Sequence, residues 1–313
     1  MRVLVTGGSG FLGLRLCKKL AESGYEVVIL DLKPPDRNIT SSLLSHNDVS
    51  YVQGDIRDEK TVDDASSECE ATVHLAAVAN VETCQENPKY AFDVNVEGTR
   101  VVLDCARWNY HKKLIFASSA AVYGEQKRFP ISESSRMSPR SIYGVTKAAA
   151  ELLILSYSFT YSFNSTILRF FNIYGYQPNP SYAGVVARFI QAALRNDNLT
   201  IYGTGGQTRD FVYVDDAVNA ILRSLDSPKE GIFNVASGKE TSISKLAEII
   251  QETAGRKLRV IFKPRRESDI TRSLADIRKI SKELGWRPNY TIEQGLKETF
   301  QFYSSQYSKS KTS

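Results

Sequence analysis

The chain has 313 residues, of which 42% are apolar and 24% charged, and its mean hydropathy is −0.28. That is enough apolar material for one large domain or two lobes of ordinary soluble composition. Its 40 basic residues nearly balance 35 acidic ones, for a net +5, which argues against a nucleic-acid reader with a clustered basic stripe.

The one dense basic run, Lys263 to Arg266, is read as serving a single anionic ligand. No apolar stretch approaches the roughly 20 residues of a membrane span. Met1 leads straight into an apolar strand, so no targeting segment is expected. The cysteines, Cys17, Cys69, Cys84 and Cys105, lack metal spacing. They read as reduced thiols in a cytoplasmic protein, packed as small apolar residues. The expected protein is soluble and binds neither membrane nor nucleic acid.

In chain order, strands are predicted at Arg2 to Thr6, Glu26 to Asp31, Ser50 to Gly54, Ala71 to Leu75, Lys113 to Ser118 and Ser165 to Phe170. Helical periodicity fills the intervals, as in Phe11 to Ser23 and Pro88 to Asn109. Apolar strands alternating with helices predict a doubly wound parallel sheet of the Rossmann type. After Asn172 the texture changes, with Gly, Pro, Asn and Tyr crowding residues 174 to 184. We therefore expect a first domain over residues 1–172 and a smaller α/β substrate-binding lobe over 173–313, with 207–238 returning to the first domain. A helix capped near Asp215 is expected within that returning segment. The polar tail, YSSQYSKSKTS, is expected to fray.

The first turn, VLVTGGSGFLG, places Gly7, Gly10 and Gly13 after a strand and at the start of a helix. Such glycines permit a tight turn and close approach of a dinucleotide pyrophosphate, which the helix N-terminus then holds. Asp31 ends the second strand, where a carboxylate can accept both ribose hydroxyls of NAD and would repel the 2′-phosphate of NADP. A glycine turn in some other α/β protein is the plainer reading, but the strand, turn, helix and acid occur together. Asp55 and Ile56 follow the third strand and suit an adenine edge and face. Leu75, Ala76 and Ala77 follow the fourth, where small side chains admit a cofactor. His74 reads as a packed strand-end residue, and three dispersed histidines make a metal site unexpected.

SIYGVTKAAAELL puts Tyr143 and Lys147 four residues apart on one helical face. An ammonium beside a phenol is expected to lower a pKa of about 10 toward working pH. The spacing alone is common; Ser119 upstream and the glycine turn make it pointed. In FASSAAVYG, Ser118 and Ser119 are followed by Ala120 and Ala121, which can do no acid or base chemistry.

Together, T-G-G-x-G-F-L-G, Asp31, G-D-I, H-L-A-A, S-S-A-A-V-Y-G, Y-x-x-x-K and LRFFNIYG resemble the extended short-chain dehydrogenase/reductase family, as far as LGWRP at residues 284 to 288. Within it the chain is most similar to the UDP-sugar 4-epimerases, UDP-glucose 4-epimerase being the best known. The resemblance implies Tyr143 as catalytic base, Lys147 as its pKa modulator and ribose ligand, and Ser119 as donor to the reacting oxygen. Phe11, Leu12, Asn95, Ser118 and Phe171 match cofactor-lining positions. Asn172, Arg209, Arg266 and Asp269 match positions gripping a nucleotide diphosphate, and Thr200, Ile201 and Tyr202 lie along the uracil. Two arginines from separate segments suit a diphosphate on chemical grounds as well.

Related dehydratases and decarboxylases typically carry carboxylates where this chain has Ala120 and Ala121, so the resemblance implies epimerisation through a 4-keto sugar. Two alternatives stand beside it: a net NAD(P)-dependent oxidoreductase of the same fold, and a non-catalytic nucleotide-binding regulator. Gluco, N-acetyl and uronic acid sugars share these motifs. The residue four after Asp269 is Ser273, where a small side chain implies room for an N-acetyl group unless Arg272 fills it. The family also implies a homodimer built from the helices of Asn95 to Asn109 and Gly144 to Tyr161. Leu152, Leu153, Leu155 and Tyr157 give the second of these more apolar surface than one core stripe needs.

Overall fold

A computed structural model describes residues 1–34, 48–176, 184–265 and 269–312. Seven strands form one parallel sheet: β1 (Arg2–Thr6), β2 (Glu26–Asp31), β3 (Val49–Gln53), β4 (Ala71–His74), β5 (Lys113–Ser119), β6 (Ser165–Phe170) and β10 (Gly231–Val235). Their spatial order is β10-β6-β5-β4-β1-β2-β3. The chain therefore reverses direction between β1 and β4, and ligands of open α/β sheets bind in the crevice at such a switch point.

Alternation along each strand builds a layer of the first core on each face of the sheet. Val3, Val5, Val27 and Ile29 face one side, where the helices Phe11–Glu22 and Val214–Asp226 pack through Leu16, Leu20, Val218 and Ile221. Leu4, Val28 and Leu30 face the other, meeting Val62, Val102 and Ile154 of the helices Glu59–Ser66, Gly98–Trp108 and Ile142–Tyr161. With both faces covered, the strands are apolar nearly throughout, which is why they read as runs.

A second core joins the helices Val185–Arg195, Ile243–Ala254 and Ile292–Thr312 with short strands. Of these, β7 (Asn172–Tyr174), β9 (Thr208–Tyr213) and β11 (Glu240–Ser242) make one sheet. The other holds β8 (Leu199–Tyr202) and β12 (Val260–Lys263).

Four local expectations need correction. The third strand starts one residue early and stops before Gly54. The helical stretch from Pro88 is not uniform: a π-helical turn, Asp93–Glu97, interrupts it, and such turns gather at functional sites. Asp215 caps nothing. Tyr213 is the N-cap, and Asp215 lies in the first turn paired with Arg15 at 3.0 Å. The tail is helical to Thr312, anchored by buried Tyr303, whose ring meets Tyr176 edge-on at 5.2 Å.

Candidate active site

The turn after β1 is shaped by what cannot fit there. Gly7 has φ +70°, and a Cβ on it would lie 2.7 Å from the Ala76 nitrogen. A Cβ on Gly13 would lie 2.3 Å from the Gly7 carbonyl. The β1 and β4 turns thus meet backbone to backbone across the switch point. Gly10 is the N-cap of the helix that Phe11 and Leu12 begin, and no side chain caps it, so its first N–H groups stay available to an anion. The buried Oγ of Ser9 has no hydrogen-bond partner among the described residues. An orphaned hydroxyl in a glycine cradle at a helix N-terminus is what a pyrophosphate would satisfy, so these residues fit NAD.

At the end of β2, Asp31 accepts from the Ser9 amide at 3.0 Å and the Lys33 amide at 3.4 Å. Burial raises its carboxyl above the usual range, and those amides oppose the rise. Leu75, Ala76 and Ala77 are half-buried beyond β4. Ile56 is buried against Gly98. Asp55 is occupied: the Arg57 guanidinium grips it at 2.6 to 3.1 Å and holds its carboxyl low. Phe171 is buried near Tyr123, with ring centroids 6.2 Å apart, whereas Asn172 is exposed.

Ser119 ends β5. Its Oγ accepts from the Ala121 amide at 3.1 Å and so caps the 3-10 turn Ala120–Val122. Tyr143 is the second residue of Ile142–Tyr161, whose start is capped by Ser141 accepting from Gly144 at 3.1 Å. Its phenol is hydrogen-bonded to Ser119. One turn on, buried Lys147 donates to the Ala117 carbonyl at 2.8 Å and lies 4.6 Å from the centre of the Phe116 ring. Burial pushes the Lys147 ammonium down to about 8, against the pull of Glu151 and Cys84. Burial also pushes the Tyr143 phenol up to about 12, and the Ser119 bond only partly offsets it. The expected lowering of the phenol is not seen with Lys147 as the only cation beside it. Its ammonium is spent on a carbonyl, and desolvation of a phenolate outweighs it.

Ser118 also departs from expectation. Adjacent strand residues point to opposite faces, and the Ser118 hydroxyl donates to buried Glu151 instead of entering the cleft beside Ser119. Glu151 and Arg169 form an ion pair with side chains 0% and 3% exposed, closed by contacts of 2.6, 3.0 and 3.1 Å. Arg169 further donates to the Tyr123 hydroxyl and the Glu133 carbonyl, both at 3.0 Å. Sequence reasoning missed this network. Its signals were an arginine inside the apolar strand STILRF and a glutamate one helical turn beyond Lys147.

On the substrate side, Arg209 donates to the carbonyls of Thr208 and Ile270 at 2.8 Å and lies 3.8 Å from Asp269. Burial depresses its guanidinium and Asp269 opposes that. Arg266 lies outside the described residues. Ile201, expected along a ligand, is buried in the second core. Strand alternation leaves Thr200 and Tyr202 half-buried on the other side of β8. Ser273 is buried too, and the neighbouring Arg272 has other partners. That guanidinium grips Glu240 at 2.7 to 3.2 Å and stacks 4.4 Å over Phe129.

The chain is similar to known proteins over nearly its whole length. Residues 3–236 match the NAD dependent epimerase/dehydratase family. The chain is 39% identical over 303 residues to a putative UDP-glucose 4-epimerase of Methanocaldococcus jannaschii, covering 94% of this chain and 96% of that protein. It is 34% identical over 316 residues to a UDP-N-acetyl-alpha-D-glucosaminuronate decarboxylase of Bacillus cytotoxicus, covering 96% and 97%. Among solved structures, the UDP-glucose 4-epimerase of Thermotoga maritima with UDP-glucose superposes with a TM-score of 0.92 at 33% identity, covering 98% of this chain and all of that one. A seven-stranded parallel sheet with a glycine cradle at its switch point, a Ser119–Tyr143–Lys147 cluster beside it and this likeness over nearly the whole length lead to one conclusion: the chain belongs to the NAD dependent epimerase/dehydratase family.

Proposed function

We propose that the protein interconverts the C4 epimers of a UDP-sugar, UDP-glucose and UDP-galactose first among them, through a 4-keto intermediate. The observation that carries this reading is the pair Ala120 and Ala121, which form the turn next to Ser119 and offer only methyl groups. Elimination of water or later acid–base steps would need a proton donor or acceptor at that place. With methyls there, the oxidation of C4 can only be reversed, on either face of the sugar.

NAD, when bound, supplies the hydride acceptor for C4 and a positive charge that joins Lys147 in favouring the Tyr143 phenolate. Tyr143 takes the proton of the sugar 4-hydroxyl and later returns it. Ser119 accepts from the Ala121 amide with a lone pair, and its one proton passes between the Tyr143 phenolate and the sugar oxygen as the reaction proceeds. Gly7, Gly10 and Gly13 leave room for the pyrophosphate of NAD, Asp31 accepts from its ribose, and Lys147 reaches the second ribose. Arg209 and Arg266 hold the diphosphate of the substrate, with Asp269 orienting Arg209, while the 4-keto sugar turns over between half-reactions.

The protein is further proposed to be a homodimer. Leu152, Leu155 and Phe159 form an outward stripe on Ile142–Tyr161, with Leu152 57% and Phe159 91% exposed, and Trp108 and Tyr110 are exposed at the end of the neighbouring helix. A stripe of that kind suits an isologous four-helix contact. Four free, buried cysteines suit a reducing, cytoplasmic setting.

The test is incubation with UDP-galactose and no added cofactor, with products resolved by chromatography. UDP-glucose supports the reading. A decarboxylated or dehydrated nucleotide sugar, or turnover only with stoichiometric added cofactor, overturns it.

A further inference from the structure

Five buried polar side chains outside the catalytic trio form two runs of hydrogen bonds that meet at Asn95. The Ala76 amide donates to the Thr6 Oγ1 at 3.3 Å, and that hydroxyl lies 2.7 Å from the His74 Nδ1. The His74 Nε2 lies 3.0 Å from the Thr99 Oγ1, which donates to the Asn95 carbonyl at 2.7 Å. The Asn95 side chain accepts from the Val78 amide at 2.7 Å and donates to the Thr146 Oγ1 at 3.0 Å. Thr146 in turn donates to the carbonyl of Tyr143 at 2.8 Å. Thr6, Thr99 and Thr146 are fully buried, and His74 and Asn95 nearly so.

The direction of the first run is forced. A carbonyl can only accept, so the one proton of Thr99 is spent on Asn95 and its oxygen must accept from His74. Nε2 therefore carries the proton. In the neutral ring Nδ1 is then an acceptor, and Thr6 donates to it. Protonation of Nδ1 would take away the acceptor of the Thr6 proton and leave a charge in an apolar interior. The surroundings agree: the Phe116 ring lies 5.6 Å away, centre to centre, and Lys147 is the charged group acting on His74. Burial first and Lys147 second push the imidazole down to about 3, so it stays neutral at every working pH.

We propose that His74, as the neutral Nε2-protonated tautomer, is a positioning residue that locks the NAD-binding turn at Ala76 to the π-helical turn at Asn95 and, through Thr146, to the backbone of Tyr143. This goes beyond an inert packed histidine, and it rests on the proposed function for its catalytic half only. The half concerning NAD stands on the family's cofactor alone. The π-helical turn has a reason in this scheme. It brings the Asn95 side chain between the Val78 backbone and Thr146 while the Asn95 carbonyl remains open to Thr99.

The test uses the full chain and the isosteric variant Thr99→Val, which removes the acceptor of His74 and the donor to Asn95 while keeping the volume. His74→Phe serves as a second interruption, and Thr99→Ser should rescue. NAD affinity is measured by calorimetry without sugar, and kcat and KM with a UDP-sugar. A loosened positioning chain is expected to weaken NAD about fivefold or more in both interrupted variants. It should lower kcat about tenfold or more with KM changed less than twofold, because small misplacement of a catalytic group is costly. Thr99→Ser should lie within twofold of wild type on every measure. NAD affinity and kcat unchanged in Thr99→Val overturn the proposal, as does failure of Thr99→Ser to rescue, which would assign the effect to methyl packing. If the wild type turns over no UDP-sugar, the proposed function fails while the NAD arm still decides the positioning chain. If His74→Phe does not fold, the two threonine variants decide it.

Discussion

Glu151→Gln isolates the buried ion pair behind the site. Arg169 places three short contacts on the Glu151 carboxylate, and Ser118 donates to it as well. Both charged side chains are shut off from water, so no solvent compensates the guanidinium once its partner is neutral. Removing one member of such a pair costs about 3–5 kcal/mol. The glutamine carbonyl keeps one acceptor, worth about 1 kcal/mol, which leaves an expected loss of about 2–4 kcal/mol. Against a total stability of roughly 5–15 kcal/mol, that is a large fraction. Urea unfolding at pH 7, followed by circular dichroism, reads it directly. Arg169→Met should cost a similar amount by stranding the carboxylate, and Glu151→Leu/Arg169→Met should recover most of the loss, because neither charge is then left alone. A loss below about 1 kcal/mol for Glu151→Gln would show that water or another cation reaches the pair. Additive losses in the double variant would show that the two groups do not compensate each other. Either result refutes the reasoning.

Tyr143→Phe should cut turnover about 10²- to 10⁴-fold while calorimetric affinities for NAD and UDP stay near wild type; retained activity would remove Tyr143 as the base. Asp31→Asn should relax discrimination against NADP. Two charges about 4 Å apart cost between about 1 and 4 kcal/mol across the range from water to a protein surface, so a preference of roughly 5- to 10³-fold should fall toward parity in competition binding. For Lys147, burial lowers the ammonium from 10.5 to about 8. Between those values the folded chain binds fewer protons than the unfolded one, so this contribution to stability rises with pH across that window, and at pH 7 the buried charge costs about 3 kcal/mol. Lys147→Met should therefore be inactive yet more stable than wild type at pH 7, with the gap closing near pH 10 in urea titrations. Leu152→Glu/Phe159→Glu should be monomeric by light scattering where wild type is dimeric; an unchanged mass would place the contact elsewhere.

The strands of the sheet were legible because each is a local event. A strand buried on both faces is an apolar run, a helix between strands is a 3.6-residue period, and a glycine turn after the first strand needs only its neighbours to be understood. The placing of Tyr143 and Lys147 on one face is likewise the arithmetic of a single helix. What a side chain meets across the fold is a different quantity. Ser118 and Ser119 look equivalent in sequence, yet one finds Glu151, 33 residues away, and the other finds Tyr143. Ile201 turned out to be core because β8 was laid over a second set of helices. The rise of the Tyr143 pKa depends on burial, and Lys147 is aimed at a carbonyl, neither of which spacing can state. The hydrogen bond from Asn95 to Thr146 spans 51 positions, and Thr146 must accept it because its own proton goes to the Tyr143 carbonyl. Sequence by itself determined the periodic elements, the glycine cradle and the spacing of the reactive groups, since those depend on bonded neighbours. Only the tertiary structure decided which polar groups are desolvated and which way each proton points, because both depend on atoms that folding brings together from distant parts of the chain.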